Sequence, residues 1–376
     1  ASATDSDSTD TLRAWWLRRM IETPHPLLEK MTLFWHHHFG MSNVRVKNAF
    51  LMHQHLKLLR RHALGSFEPL LEGVSSDPAV LIALDSTEHR KVRPNEDYAR
   101  EFLQNFGLGA GQFAESDVRE TARAFTGWFV FGTRFRYIER EHDSGTKEIL
   151  GQKGDFDGKD VVRIVLSQPA ASRLVVKKLY GWLISETEDP SDDLIAPLAE
   201  SFATDYDVAK LVGTMLRSNL FFSPVAYRRR VKNPVEYALG IVRAFEATVS
   251  TTELGKDLAA LGQNLYNPPT MEGWKGGRHW INSATLLGRS NLAQALLAGT
   301  DPYGDRIDPW AFAKKHGVSD VEASRSFLLD LLLQGDVDDS VREALSNTEF
   351  GAADDPTQQL RQFTHLVVTL PEFQLA

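Results

Sequence analysis

Apolar residues recur at helical spacing through most of the chain. Near the N-terminus they include Leu12, Trp16 and Met20, the spacing of a helix with one buried face. The same pattern predicts later helices at about 47–63, 95–107, 116–126, 159–186, 192–203, 207–217, 234–248, 283–297, 319–334 and 355–368. Pro or Gly lies near several of these boundaries, as is typical of helix ends. The chain is therefore predicted to be mainly α, a multi-helical globular array with long irregular loops.

One stretch alternates with the period of a β-strand. Residues 128–137 alternate about a central Gly-Thr pair, which predicts one small β-hairpin. A polar loop at 141–147 follows it. We expect this region to pack across the helical core as a flap or rim.

The chain also shows regional differences that predict its organisation. Residues 1–10 contain no large apolar side chain and are predicted to be a disordered tail or the remnant of a removed leader. Residues 11–155 hold the polar motifs and the hairpin, and 156–376 is predicted to be a supporting helical bundle with a Trp-rich loop at 267–280. The two regions together can also form one continuous domain.

Composition narrows the classes of function. The apolar fraction of 42% and the charged fraction of 24% are typical of a soluble globular protein. A net charge of -8 argues against nucleic acid as a partner, because phosphate backbones are bound by basic surfaces. The chain contains no run of 18 apolar residues, so no membrane span is predicted. The absence of cysteine excludes disulfides, thiolate nucleophiles and cysteine-type zinc sites.

The first polar motif runs from Asn95 to Glu101. Asn95 after a proline is a good helix N-cap, and the acidic residues after it complement the helix dipole. Capping leaves Glu101 unexplained, because a carboxylate near the apolar face of a helix needs a partner or a raised pKa. Tyr98 and Arg100 lie within the same motif.

The second polar motif runs from Ser116 to Trp128. Ser116 is predicted to cap a helix that Gly127 ends. Glu120 and Arg123 stand on one face beside small residues. They indicate either a buried ion pair between closely packed helices or a recess for a ligand.

The third motif is an aromatic-framed histidine run, Trp35-His36-His37-His38. Adjacent histidines on a helix point in different directions, so this is not the i,i+4 pair of a zincin. Convergence of His36 and His38 at a frayed helix end would allow metal ligation or hydrogen bonds to the carboxylates. A purely structural cluster is the other interpretation.

Two loops add candidate residues. His142, Asp143 and Lys147 lie beside glycines in a loop that can close over a ligand or simply form a polar turn. Trp274 and Trp280 lie in the irregular 267–280 stretch. If exposed, their flat faces are predicted to stack on a ligand, and otherwise they anchor the loop.

Four ordered sequence motifs resemble the domain-of-unknown-function 1800 family over nearly the whole chain. They are Phe34-Trp35-His36-His37-His38-Phe39, Asn95-Glu96-Asp97-Tyr98-Ala99-Arg100-Glu101, residues 117–128, and Asn267-Pro268-Pro269 with Gly273-Trp274-Lys275-Gly276-Gly277. The resemblance implies an exported bacterial protein, periplasmic or extracellular, often encoded beside a sulfatase-like partner protein. It implies no settled activity.

The chain also departs from that family's pattern. Gln104-Asn105 stand where the family usually has Glu-Leu, and His37 replaces a common Asn. A catalytic role that requires an acid at position 104 is therefore not expected in this chain.

The leading functional hypothesis is a carbohydrate-active hydrolase that acts on a polysaccharide or oligosaccharide. Glu101 and Glu120 would serve as the two carboxylates that glycoside hydrolysis needs, with Trp128 and Trp274 as sugar platforms and no cofactor. The full set of predicted substrate-binding residues is Trp35, His36, His38, Asn95, Tyr98, Arg100, Arg123, Trp128, His142, Asp143, Lys147 and Trp274.

Two alternatives remain open at the level of sequence. One is a metal-dependent hydrolase with His36, His38, His142 and a carboxylate as ligands. The other is a non-enzymatic periplasmic or surface assembly factor that binds through the hairpin and the Trp274 loop.

Overall fold

The structure, a computed structural model, describes residues 8–348 and 355–376. Within them, 20 α-helices and two small antiparallel sheets make up most of the regular structure, which confirms the predicted mainly α class. Of the predicted tail at 1–10, residues 1–7 lie outside the described part. Thr9 and Asp10 already belong to the first helix, α1 (Thr9–Glu22).

One compact unit consists of residues 8–12, Pro24–Val225 and Tyr266–Trp274. Its strands are β1 (Trp128–Phe131), β2 (Arg134–Tyr137), β3 (Lys147–Ile149) and β4 (Gln152–Gly154). Its further helices are α2 (Pro26–His38), α3 (Asn43–Val46), α4 (Ala49–His62), α5 (Phe67–Ser75), α6 (Pro78–Ala83), α7 (Glu96–Glu101), α8 (Glu115–Ala124), α9 (Gly158–Leu166), α10 (Pro169–Leu183), α11 (Asp192–Phe202) and α12 (Val208–Leu216). The boundary predicted near residue 155 falls inside this unit.

The second unit consists of residues Arg13–Thr23, Ala226–Leu265 and Lys275 onward. Beyond its share of α1, its helices are α13 (Pro234–Ala244), α14 (Thr251–Ala260), α15 (Ser283–Leu297), α16 (Pro309–Lys315), α17 (Val321–Leu333), α18 (Asp339–Ser346), α19 (Pro356–Thr369) and α20 (Pro371–Gln374). Helix α19 packs against α15, α16 and α17 and forms the centre of this unit.

Proline sets several helix boundaries. The predicted helix at 159–186 is two helices, α9 and α10, because Pro169 lacks an N–H and takes the first position of the second helix.

The predicted helix at 95–107 is α7 followed by a π-helix, Phe102–Leu108. Ser116 lies inside α8 and does not cap it. The Asp117 carboxylate instead accepts from the backbone N–H of Ala114 at the start of that helix.

The predicted hairpin is confirmed. Strands β1 and β2 pair with Phe131 opposite Arg134, so the turn is the Gly132-Thr133 pair. Gly127, with φ of 89°, ends the preceding segment as predicted. The hairpin is hydrogen-bonded to the segment between α6 and α7, since the N–H of His89 donates to the carbonyl of Trp128. Strands β3 and β4 form a second small sheet in the region predicted to be loop.

The core of the first unit centres on Trp35 of α2. Its ring is fully buried, lies 5.3 Å from Phe67 and 5.8 Å from Phe39 between ring centroids, and donates from Nε1 to the carbonyl of Ala63. A buried indole N–H needs such a partner, and this one ties α2 to the end of α4. None of the helices in residues 8–348 and 355–376 combines the length and apolar character needed to cross a membrane.

Replacing Asn95 tests the capping of α7. The Asn95 side chain accepts from the N–H of Tyr98 and donates to the Ser86 hydroxyl. We expect Asn95→Ala to lower the free energy of unfolding by about 1 kcal/mol, measured by urea titration. Asn95→Asp keeps the cap and should retain most of the stability. Equal losses in both variants would contradict a capping role.

Candidate functional site

Several of the predicted substrate-binding residues are buried, namely Trp35, His36, His38, Tyr98, Trp128, Lys147 and Trp274. Trp35 is fully buried, as described above. Tyr98 is also fully buried, and its hydroxyl donates to the carbonyl of Ser75 at 2.5 Å. Both rings therefore belong to the core of the first unit. Asn95 caps α7, and Arg100 pairs on the surface with both carboxylate oxygens of Glu115.

The predicted catalytic carboxylates are held by neighbours on their own helical segments. Glu101 accepts a hydrogen bond from the side chain of Asn105. Glu120 lies 2.6 Å from a guanidinium nitrogen of Arg123, with about a quarter of each side chain exposed. Neither glutamate lines a pocket described below. The sequence predicted for Glu120 and Arg123 either a buried ion pair between helices or a ligand recess. The structure shows an ion pair, but one that is part-exposed and lies within α8.

Arg123 is the centre of a network that fixes the 142–147 loop on α8. Its guanidinium donates to both carboxylate oxygens of Asp143, and its pairing holds the pKa of Asp143 below the usual value. Nδ1 of His142 lies 2.8 Å from the carbonyl oxygen of Thr126. Lys147 is almost fully buried and pairs with Asp155. These contacts give the loop residues a structural role.

The histidine run and the Trp274 loop lie together in the first unit. The backbone N–H of Tyr266 donates to Nε2 of His36, and that of Trp274 donates to Nδ1 of His37. The His37 ring is stacked between Trp182 and Trp274, at 5.7 and 6.2 Å between ring centroids. Trp274 is only 5% exposed, so the expected exposed platform is corrected to a buried anchor of the loop.

Burial keeps the histidine run uncharged. It lowers the pKa of His36 to about 3, helped by His55 and His37, and the pKa of His37 to about 4, helped by Lys178. The pKa of His38 is also well below its usual value, through burial and Lys178. Lys178 donates from Nζ to Nδ1 of His38 at 2.9 Å. All three rings are therefore neutral at physiological pH.

The described residues hold no group of three or more His, Asp or Glu side chains suited to a metal ion. Nε2 of His36 already accepts from the N–H of Tyr266, and Nδ1 of His38 accepts from Nζ of Lys178. The geometry of the described residues therefore gives no support to the alternative in which His36, His38 and His142 bind a metal.

A pocket of about 600 Å³ lies beside the hairpin. Its chemically distinctive lining residues are His62, Glu72, Trp128, Phe135, Tyr137 and Asp157. The volume is within the range of small-molecule sites in proteins. Of the residues predicted from sequence to bind substrate, Trp128 is the one that lines this pocket.

Close packing beneath the pocket fixes the Trp128 ring. Gly158 begins α9 directly against that ring, where a Cβ atom would overlap it and would press on Phe125. The Trp128 ring also lies 5.2 Å from Phe135, edge to face. The indole is therefore held in one position on the pocket wall.

The pocket carboxylates were missed by sequence reasoning. Asp157 accepts from the N–H groups of Lys159 and Asp160 at the start of α9. Asp157 and Asp160 form a capping box, and this Asp-x-x-Asp spacing in the sequence could have placed Asp157 at a helix N-terminus. Glu72 lies in α5, within an ordinary amphipathic segment, and gave no signal. Lys178 likewise resembled a solvated helix position.

Replacing Gly273 tests the docking of the Trp274 loop. Gly273 has φ of 85°, and an added Cβ would overlap the backbone carbonyl and Nδ1 of His37. We expect Gly273→Ala to lower the free energy of unfolding by roughly 2–4 kcal/mol, with a changed tryptophan fluorescence spectrum. Gly181→Ala, in open space within α10, should be neutral or up to about 1 kcal/mol more stable. Wild-type stability of Gly273→Ala would refute the close approach.

The acid sensitivity of the first unit tests the buried state of His37. Its pKa is about 4 in the folded chain and near 6.5 when unfolded, so between these values the unfolded state binds the extra proton. The contribution of neutral His37 to the free energy of unfolding is complete above pH 6.5. It falls by about 1.4 kcal/mol per pH unit as the pH falls towards 4. His37→Asn keeps an acceptor for Trp274 and should reduce the slope between pH 6 and 4.5 by the share of His37, while the other histidines with lowered pKa keep theirs. The free energies of unfolding of both proteins are first compared at pH 7.5. A slope that is the same in the variant as in the wild type would contradict the buried, neutral state of His37.

Comparison with known proteins identifies the family but no characterised relative. No curated protein matches the chain significantly, and no solved structure does so. A family profile described as "Protein of unknown function (DUF1800)" matches residues 1–375, which is essentially the whole chain. The chain therefore belongs to this family, as its four sequence motifs indicated.

Proposed function

We propose that this protein is a carbohydrate-active hydrolase that binds a segment of polysaccharide in the pocket beside the hairpin. The observation that carries the proposal is the combination of an aromatic wall with two carboxylates, Glu72 and Asp157, in one pocket. The exposed Tyr137 and the half-buried Phe135 form the accessible part of that wall, and Trp128, only 6% exposed, packs behind them. Sugar rings stack on aromatic faces, and glycoside hydrolysis requires a pair of carboxyl groups.

Tyr137 gives the aromatic wall a polar edge. Its side chain is 48% exposed. Burial, followed by the negative charges of Asp157, Glu139 and Asp155, raises the pKa of its hydroxyl. The hydroxyl stays protonated at physiological pH and can donate to a sugar oxygen or to a pocket carboxylate.

The environments of the two carboxyl groups suit different tasks. Asp157 accepts hydrogen bonds from two backbone N–H groups at the N-terminus of α9, which fix the orientation of its carboxylate. This suits a nucleophile or general base. Glu72 lies half-buried near the end of α5 and supplies the second carboxyl group, to which we assign the role of general acid. His62, neutral because burial and Arg61 lower its pKa, adds a hydrogen-bonding group to the same pocket.

This assignment moves the catalytic role from the carboxylates predicted from sequence. Glu101 and Glu120 are engaged by Asn105 and Arg123 and do not line the pocket. They serve as matched controls, because each can be changed to the amide without altering the pocket wall.

The test incubates the purified chain with a panel of polysaccharides. Hydrolysis is measured as the release of reducing ends. Glu72→Gln and Asp157→Asn should each lower the rate by about 10²–10⁴-fold, because the amides cannot transfer a proton or act as nucleophile. Asn is also a good N-cap, so Asp157→Asn should fold normally. Glu101→Gln and Glu120→Gln should keep activity within a few-fold. If the two control variants lose activity while the pocket variants retain it, the assignment of the carboxylates is wrong.

A binding function without hydrolysis is the second candidate. It is favoured by the capping contacts of Asp157, which engage one oxygen of that carboxylate in the folded chain. In that case the panel yields bound polysaccharide but no product. Tyr137→Ala should then weaken binding by roughly three- to tenfold, whereas Phe131→Ala, exposed on the same hairpin but outside the pocket, should not. A panel with neither product nor binding would overturn both candidates.

The family resemblance adds two further elements to the proposal. An exported chain, periplasmic or extracellular, would meet polysaccharide there, and a sulfatase-like partner protein would remove sulfate groups from the same polymers. Cell fractionation and co-purification test these two elements separately from hydrolysis.

A further inference from the structure

The two carboxylates of the pocket beside the hairpin are not neutralised by a neighbouring cation. Glu72 and Asp157 both line that pocket and are half-buried. Within residues 8–348 and 355–376 neither carboxylate forms an ion pair, and that of Glu72 accepts no hydrogen bond. The hydrogen bonds that Asp157 accepts at the start of α9 use Oδ1, which leaves Oδ2 free. The pocket therefore offers carboxylate oxygens to a ligand.

The other ionisable side chains of the pocket supply one positive charge. Lys159 is exposed, and its ammonium makes no ion pair in the described part of the chain. Burial, followed by Arg61, lowers the pKa of His62, which favours its neutral form. Tyr137 is a neutral phenol. Two negative charges thus stand against one positive charge among the lining residues.

The groups around Tyr137 give the sign of the electric field at the aromatic wall. After burial, three acidic side chains raise the pKa of its hydroxyl, and these are Asp157, Glu139 and Asp155. The faces of aromatic rings are themselves negative, so Tyr137 and Phe135 attract a cation above them. The wall and the free carboxylates therefore both favour a positively charged ligand.

We infer that this pocket selects polysaccharides whose sugars carry free, protonated amino groups. The inference rests on the proposed function, which supplies the sugar, and it adds the class of substrate. The ring of an amino sugar stacks on the aromatic wall, and its ammonium group offsets the unpaired charge of Glu72 and Asp157. A neutral sugar leaves that charge unpaired, and an acidic sugar adds to it.

The test compares two tetrasaccharides with the same linkage. The glucosamine tetrasaccharide carries one ammonium group on each sugar, where cellotetraose carries a hydroxyl group. Their binding to the full wild-type chain is measured by titration calorimetry at pH 6, where the pocket carboxylates are ionised. We expect the glucosamine tetrasaccharide to bind about tenfold more tightly at low salt. High salt should reduce this advantage, because it screens the attraction between charges.

Replacing Glu72 tests whether the pocket charge causes the preference. Glu72→Gln should weaken binding of the glucosamine tetrasaccharide by roughly fivefold and leave that of cellotetraose unchanged. Glu148→Gln is the matched control, because Glu148 is exposed on β3, lies outside the pocket and makes no ion pair among the described residues. It should leave both affinities unchanged. Equal losses in the two variants would assign the preference to the overall charge and contradict the inference.

The outcomes for amino-sugar selection and for hydrolysis are distinguishable. Binding of cellotetraose that is equal or tighter overturns the selection, but leaves any hydrolysis of the polysaccharide panel in place. Binding of neither tetrasaccharide also overturns it. Preferential binding of the glucosamine tetrasaccharide, without cleavage of any polysaccharide in the panel, supports the selection and removes the hydrolase. The two ligands are compared on the wild-type chain, so this comparison does not depend on the folding of a variant.

Discussion

The docking of the Tyr266–Trp274 segment on the end of helix α2 is the contact on which the first unit depends. Two backbone N–H groups of this segment donate to His36 and His37, across 230 and 237 residues of sequence. An imidazole can accept in this way only while that nitrogen is unprotonated. The contact therefore requires neutral histidines, and the burial that it creates keeps them neutral. The same packing places His38 against Lys178.

The hairpin shows a second constraint, which is steric. Trp128 can form a pocket wall because its ring is fixed between Gly158, Phe125 and Phe135. The glycine at the start of α9 allows the helix to approach the ring, and the helix N-terminus then presents Asp157 in the same pocket. An aromatic wall and an oriented carboxylate thus arise from one packing contact.

Ion pairing explains why the most visible acidic residues are poor candidates for chemistry. Glu120, Arg123 and Asp143 form a network that fixes the 142–147 loop, and Glu115 with Arg100 forms a surface pair. Charged residues at helical spacing are conspicuous in a sequence whether they stabilise a loop or bind a substrate. Their contacts distinguish the two roles.

The sequence by itself determined the features that depend on neighbouring residues. Helical periodicity, the Gly127 stop, the Gly132-Thr133 turn and the Asn95 cap are local, and each lies where it was predicted. The division of 159–186 at Pro169 was also readable, although it was predicted as one helix. Only the tertiary structure decided that Trp35 and Tyr98 are core residues, that Glu72 and Asp157 share a pocket, and that Lys178 meets His38. The physical reason is that periodicity gives the face of a helix on which a side chain lies, whereas the packing of distant segments decides what that face contacts.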